Sequence, residues 1–130
     1  MALLQISEPG QSTAPHHHNL ACGIDLGTTN SLVASVISGQ TRLISDQNNN
    51  SMLPSVVHYG QDKITVGVDA YQYTTTDPTN TILSVKRYMG VDYSEASEFK
   101  NLPYRLVKNG NNVSFKTSIG DVSAIEVSAS

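Results

Sequence analysis

Two short apolar runs joined by four turn-prone residues constrain this chain more than any other feature in it. Ala21-Cys22-Gly23-Ile24-Asp25-Leu26 leads into Gly27-Thr28-Thr29-Asn30, and Ser31-Leu32-Val33-Ala34-Ser35-Val36-Ile37 follows. Both flanks are rich in strand-forming residues, and so short a connection makes a hairpin the simplest reading. Ser38-Gly39-Gln40 marks a second turn into Thr41-Arg42-Leu43-Ile44-Ser45, which extends the hairpin into a three-stranded meander. Cys22 lies in the first of these strands, where a buried, inert thiol is expected.

The same punctuation continues downstream. Asp46 to Ser51 is a polar loop, and Ser55-Val56-Val57-His58-Tyr59 and Lys63-Ile64-Thr65-Val66 flank Gly60-Gln61-Asp62 as a further hairpin. His58 sits in mid-strand and is read as a structural or solvent-facing imidazole rather than a catalytic one. Gly67 to Tyr73 suits a helical turn or two, stopped ahead of Asp77-Pro78 because proline drives its predecessor out of the α region. Asn80 is then the expected N-cap of a helix over Thr81 to Met89, with Ile82, Val85 and Met89 as its apolar stripe and Gly90 as its stop. Asp92 to Phe99 suits one more short helix. Tyr104 to Lys108 and Asn112 to Thr117 form a hairpin about Asn109-Gly110-Asn111. Ser123 to Ser130 closes the chain as an apolar–polar alternation.

Composition bounds the function. The 130 residues carry 8 Lys+Arg against 11 Asp+Glu, a net charge of −3, so the chain is one domain at most and has no basic block for nucleic acid or an anionic membrane. A single cysteine excludes an internal disulfide framework and any multi-cysteine zinc site. Met1 to Gly10 has no basic start and only a brief apolar run, so no secretory signal is read, and no window approaches a membrane span. The expected compartment is the cytoplasm, which leaves the glycosylation-like triplets at Asn49 and Asn112 without meaning. Ser7 to Asn19 has no apolar period; residues 1–20 are read as a flexible N-terminal arm ahead of a body over 21–130. His16, His17 and His18 in that arm could hold a metal, but adjacent histidines on an arm are more often simply solvated.

The segment with chemical content is Asp25 to Ser31. It is neither a P-loop nor a dinucleotide fingerprint, having no GK[ST] and no GxGxxG. Its physics is nevertheless that of a phosphate loop. A tight turn between strands can aim several backbone N–H groups at one spot, Gly27 allows close approach, and the Thr28 and Thr29 hydroxyls add donors without charge. Asp25, at the end of the preceding strand, suits a hydrated Mg²⁺, which touches few carboxylates. An ordinary Thr- and Asn-rich hairpin turn is the plainer alternative. Lys86, beside Val85 at the border of the apolar stripe, could send its ammonium into a cleft and serve a phosphoryl group; a solvated lysine is again the plainer reading.

Gly23-Ile24-Asp25-Leu26-Gly27-Thr28-Thr29-Asn30-Ser31 resembles, without a gap, the first phosphate motif of the Hsp70 chaperones. The resemblance continues through Leu53-Pro54-Ser55, Val66-Gly67 with Asp69-Ala70, and Asn80-Thr81-Ile82 leading to Val85-Lys86-Arg87 and Met89-Gly90, and covers essentially Ala21 to Ser130. The N-terminal arm and Leu53 to Tyr59 look like the branch of the family that serves bacterial iron–sulfur cluster assembly. The resemblance implies an α/β, actin-like ATPase fold, here the Hsp70 nucleotide-binding domain in part: the first strands of lobe I plus the small peripheral subdomain, truncated at the C-terminus. It implies ATP and Mg²⁺ as cofactors, with Asp25 ordering the water shell of Mg²⁺. Gly27, Thr28, Thr29 and Asn30 would hold the nucleotide phosphates, and Lys86 would act as the catalytic residue. It also implies a J-domain co-chaperone (HscB-like) and an iron–sulfur scaffold protein (IscU-like) as client of the full-length protein.

The family's second Gly-rich phosphate loop, further carboxylates and adenosine pocket do not occur here, so the chain alone is expected to have no significant ATPase activity. Ile125 to Ser130 resembles the lead-in to the family's next long helix. Two other classes remain as alternatives: a phosphotransferase fragment of the wider actin and sugar-kinase superfamily, and a non-enzymatic β-rich binding module. The segment Asn80 to Met89 with Val85-Lys86-Arg87 separates the first from Hsp70.

Overall fold

The computed structural model describes residues 21–130, and the arm expected over 1–20, with its three histidines, lies outside the described residues. The opening meander forms as the turn chemistry requires. Strands β1 (Cys22–Leu26), β2 (Asn30–Ile37) and β3 (Gln40–Leu43) pair antiparallel in that order. Leu26 stands opposite Ser31 and Cys22 opposite Ser35, so Gly27 to Asn30 is the whole of the loop. A two-residue strand, β4 (Leu53–Pro54), pairs with the start of β2 through Asn30 and Ser31. The polar run between β3 and β4 is a loop closed on Asp46, whose carboxylate accepts from the Asn48 and Asn50 backbone N–H groups.

A second sheet follows. Strand β5 (Val56–Tyr59) is central, with β6 (Ile64–Val66) on one side and β7 (Thr81–Leu83) on the other. The connection from β6 to β7 carries two single-turn helices, α1 (Val68–Tyr71) and α2 (Tyr73–Thr76), and a 3-10 turn over Pro78–Asn80. After a further 3-10 turn (Val85–Tyr88) and helix α3 (Tyr93–Ala96), strands β8 (Arg105–Asn109), β9 (Asn112–Thr117) and β10 (Gly120–Ser123) make the third sheet, and α4 (Ala124–Ala129) closes the described chain. At the β8–β9 turn Gly110 alone takes a positive φ of 63°, which fits a II′ turn with glycine first.

The core lies between the second and third sheets. Val57 and Tyr59 of β5, Ile82 of β7, Val85 and Tyr88 of the 3-10 turn, Val113 and Phe115 of β9, and Val127 of α4 pack in one buried cluster. Tyr88, Tyr104 and Phe115 meet edge to face, with centroids 5.1 to 6.2 Å apart, and the two tyrosine hydroxyls share a 3.1 Å hydrogen bond. The first sheet contributes nothing to this cluster.

Three expectations are corrected. The helix over Thr81 to Met89 does not form. Thr81–Leu83 instead pairs with β5, Ile82 opposite Val57, which buries both Thr81 and Ile82 and completes a ladder that a helix would forgo. Ser84 then takes a left-handed φ of 53° and turns the chain into the 3-10 turn that carries Lys86. The supposed stripe divides accordingly, with Ile82 and Val85 buried and Met89 40% exposed. Asn80 is no N-cap. Its amide donates to the Asp77 carboxylate and its carbonyl oxygen accepts from the Ser118 N–H at 2.7 Å, tying the second sheet to the β9–β10 turn. Cys22 is exposed rather than buried, because among the described residues β1 is exposed along its whole length. The apolar–polar alternation over Ser123 to Ser130 resolves into the end of β10 and, capped by Ser123, the helix α4 over the segment that resembles a helix lead-in.

Candidate functional site

The Gly27–Asn30 loop is shaped from behind. Three of its carbonyl groups are held by residues distant in sequence. Lys86 Nζ donates to the Leu26 oxygen at 2.8 Å, Ser55 Oγ donates to the Gly27 oxygen at 2.9 Å, and the Ser55 N–H donates to the Thr29 oxygen at 2.8 Å. Every peptide bond here is trans, so each carbonyl drawn backward turns the next residue's N–H the opposite way. The Gly27 and Thr28 N–H groups therefore face forward, and among the described residues neither has an acceptor within the chain. That is the arrangement of an anion-binding nest.

The loop admits only glycine at its first position. A Cβ built on Gly27 would collide with the Asn30 carbonyl oxygen, a backbone atom that cannot swing aside. Thr28 is half-buried, and Thr29 and Asn30 are exposed, so their side chains are open to a ligand. Asp25 ends β1 two residues before the loop, opposite Leu32, and is exposed. An exposed carboxylate two residues ahead of the loop fits a hydrated Mg²⁺, which keeps most of its waters and needs no cage of side chains. No group of three metal-ligating side chains occurs among the described residues, so a fully protein-ligated transition metal has no such donor set there.

Lys86 reaches the loop across 60 residues of sequence. Its stem lies along a cleft of about 150 Å³ behind the loop, lined in part by Leu26, Ser55, Val57, Val85 and Val127. An ammonium has three donors, so two remain beyond its bond to Leu26. The structure thus brings Lys86 to the Gly27–Asn30 loop, with Asp25 two residues ahead of that loop at the end of β1. It adds three residues that sequence reasoning did not single out for this site: Ser31, Ser55 and Ser84. Ser31 ends the motif segment and Ser55 follows Leu53-Pro54, while Ser84 carried no signal in the sequence.

Residues 21–130 match the family described as Hsp70 protein. A chaperone protein HscA homologue of Aliivibrio salmonicida is 55% identical over 131 aligned residues, which cover 99% of this chain and 21% of the relative. Homologues of the same name from Acinetobacter baylyi and Actinobacillus pleuropneumoniae are 51% and 50% identical, again over 99% of this chain and 21% of their own length. The chain thus spans about a fifth of the curated relatives it matches. A gapless glycine-hinged loop with its carbonyls pinned from behind, a lysine delivered to it from the 3-10 turn, and a family match over residues 21–130 lead to one conclusion: this chain belongs to the Hsp70 family.

Proposed function

We propose that this chain is the N-terminal part of the nucleotide-binding domain of an ATP-driven, HscA-type chaperone, and that its loop takes the phosphates of ATP. The observation that carries the reading is the meeting of Lys86 with the Gly27 loop at the Leu26 carbonyl, which joins two distant segments directly behind the nest of N–H groups. The fold would be actin-like, comprising the opening strands of lobe I and the small peripheral subdomain over 21–130.

The family resemblance, together with the shape of the loop, supports the following roles. The Gly27 and Thr28 N–H groups and the hydroxyls of Thr28 and Thr29 bind phosphate oxygens, with Asn30 closing the loop. Asp25 holds water molecules of the Mg²⁺ shell. Bound Mg²⁺ supplies charge neutralisation on the phosphates. Lys86, here bonded to Leu26 on the carbonyl side of the loop, would swing its ammonium from that bond to the N–H side to orient the terminal phosphoryl group, the catalytic role that the family resemblance gives it. The relatives' shared name, HscA, supports a role in iron–sulfur cluster assembly; the cytoplasm is the compartment we propose for it. A J-domain co-chaperone (HscB-like) would speed hydrolysis, and an iron–sulfur scaffold protein (IscU-like) would be the client.

Calorimetric titration of the 130-residue chain with Mg·ATP tests the incomplete cleft: no measurable binding is expected. Micromolar binding that disappears in Asp25→Asn would overturn that expectation. The site roles are tested in a chimera, with this chain replacing the matching residues of the Aliivibrio salmonicida relative. Lys86→Ala should lower kcat there by about 100-fold or more; unchanged turnover would overturn the role of Lys86.

A further inference from the structure

Ser55 touches both halves of the site. Its hydroxyl has one hydrogen, which goes to the Gly27 carbonyl at 2.9 Å. In the 3.1 Å pair with Ser31 the Ser55 oxygen is therefore the acceptor and Ser31 Oγ the donor. The Ser55 N–H holds the Thr29 carbonyl at 2.8 Å. On its other side, the Ser55 carbonyl accepts from the N–H of Ser84 at 3.2 Å, and the Ser84 carbonyl accepts from the N–H of Arg87 at 3.0 Å. Ser84 is the left-handed residue that turns β7 into the 3-10 turn bearing Lys86. One residue thus grips the loop with its side chain and N–H, and the lysine turn with its carbonyl.

We propose that Ser55 is a positioning residue that fixes the Gly27 loop and the Lys86 turn against one another. The inference rests on the phosphate-site reading above and deepens it. The physical case is one of geometry. The loop N–H groups face forward only because the carbonyls are held backward, and Ser55 supplies two of the three bonds that hold them. The lysine turn contains a non-glycine residue with positive φ, a conformation that costs about 1 kcal/mol or more and persists only where its surroundings enforce it. The bond to Ser55 is one of those constraints. Losing the Ser55 hydroxyl removes the grip on Gly27 and the seat for Ser31, and the peptide between Gly27 and Thr28 becomes free to rotate its N–H away from a ligand. Because Ser55 is also the residue on which Ser84 hangs, the disturbance passes to the lysine turn.

The test has two arms. In the full 130-residue chain, amide hydrogen exchange by NMR reads the coupling without any nucleotide. Ser55→Ala should raise exchange at both Ser55 and Ser84 by about five- to tenfold, the loss expected for one weakened hydrogen bond. Exchange at Phe115 in the core should stay unchanged, which separates this effect from unfolding. Ser55→Thr keeps the hydroxyl and should restore the original rates; Ser31→Ala removes only the donor to Ser55 and should give a smaller rise. A response confined to the loop, with Ser84 unaffected, overturns the proposal.

In the chimera, Ser55→Ala should lower kcat by about 10- to 100-fold with KM within about twofold, and Ser55→Thr should recover most of it. Unchanged turnover in Ser55→Ala, where Lys86→Ala has lost activity, overturns the proposal alone. Unchanged turnover in both variants overturns the phosphate-site reading and this inference with it.

Discussion

Gly27 and His58 show how differently two residues of one chain can be constrained. Gly27 is required by a backbone oxygen three residues away, a purely steric demand. His58 is required by polar bookkeeping: it is buried, stacks on Tyr73 with centroids 3.8 Å apart, and meets the Asp77 carboxylate at 3.1 Å and Thr65 Oγ1 at 3.4 Å. Asp77 in turn accepts from Asn80 and Thr79. Burial pushes the Asp77 carboxyl up, but the hydrogen bonds from Asn80, His58 and Thr79 outweigh it and leave the group below its ordinary value of 3.8. A carboxyl whose folded value is depressed contributes stability above its unfolded value, and that contribution is lost as pH falls through the folded one. Denaturant titrations should therefore show stability declining as pH drops below about 3.8, more steeply in the parent chain than in Asp77→Asn. Equal slopes would mean that the network contributes nothing to acid stability. The sequence left the imidazole as structural or solvent-facing, and burial decides for structural; its partners were not legible, because Asp77 and Asn80 come from a connection whose path depends on where β7 docks.

At the level of elements, local signals succeeded wherever a turn chose the pairing. Gly39, Gly110 and the Gly27 loop each sit at a hairpin, and each hairpin forms in its expected place. The segment after Asn80 failed because its apolar spacing fits two structures. Ile82 and Val85 can share a helix face, or one can enter a sheet and the other a turn, and the open edge of β5 decided for the sheet. The last element shows the opposite balance. Ser123 and Glu126 form a reciprocal capping box: Ser123 Oγ accepts from the Glu126 N–H at 3.2 Å, and the Glu126 carboxylate accepts from the Ser123 N–H at 2.8 Å. Those bonds, from the Ser123 backbone first and its hydroxyl second, hold the Glu126 carboxyl below its ordinary value. In so short a helix the cap is a large share of what holds it. Ser123→Ala should cost about 1 kcal/mol in urea unfolding, and a change under a few tenths would show that Val127 packing alone retains α4.

The whole molecule divides into a packed body and an open sheet. The body holds the core between the second and third sheets; the first sheet carries apolar side chains on both faces, with Ile24 67% exposed. A near-continuous apolar strand is the pattern of a sheet covered on both sides. Among the described residues the first sheet lacks that cover. Phe115→Ala should therefore cost about 3–5 kcal/mol, since a fully buried ring leaves a cavity. Ile24→Ser should move the unfolding midpoint little while lowering the binding of a hydrophobic dye. If Ile24→Ser proved as damaging as Phe115→Ala, the body would not be where stability resides.

The candidate site divides along the same line. The residue types of the loop, its length and its glycine are written into Asp25 to Ser31, because a hairpin closes over short range and needs only its own turn residues. What the sequence by itself determined is thus the loop, the hairpins and the family to which they belong. Tertiary structure alone decided that Lys86 rides a 3-10 turn, that Ser55 stands between that turn and the loop, and that the loop N–H groups face outward. Each of these depends on bonds across 24 to 60 residues, and no local propensity can express a contact whose two partners are brought together only when the sheets pack.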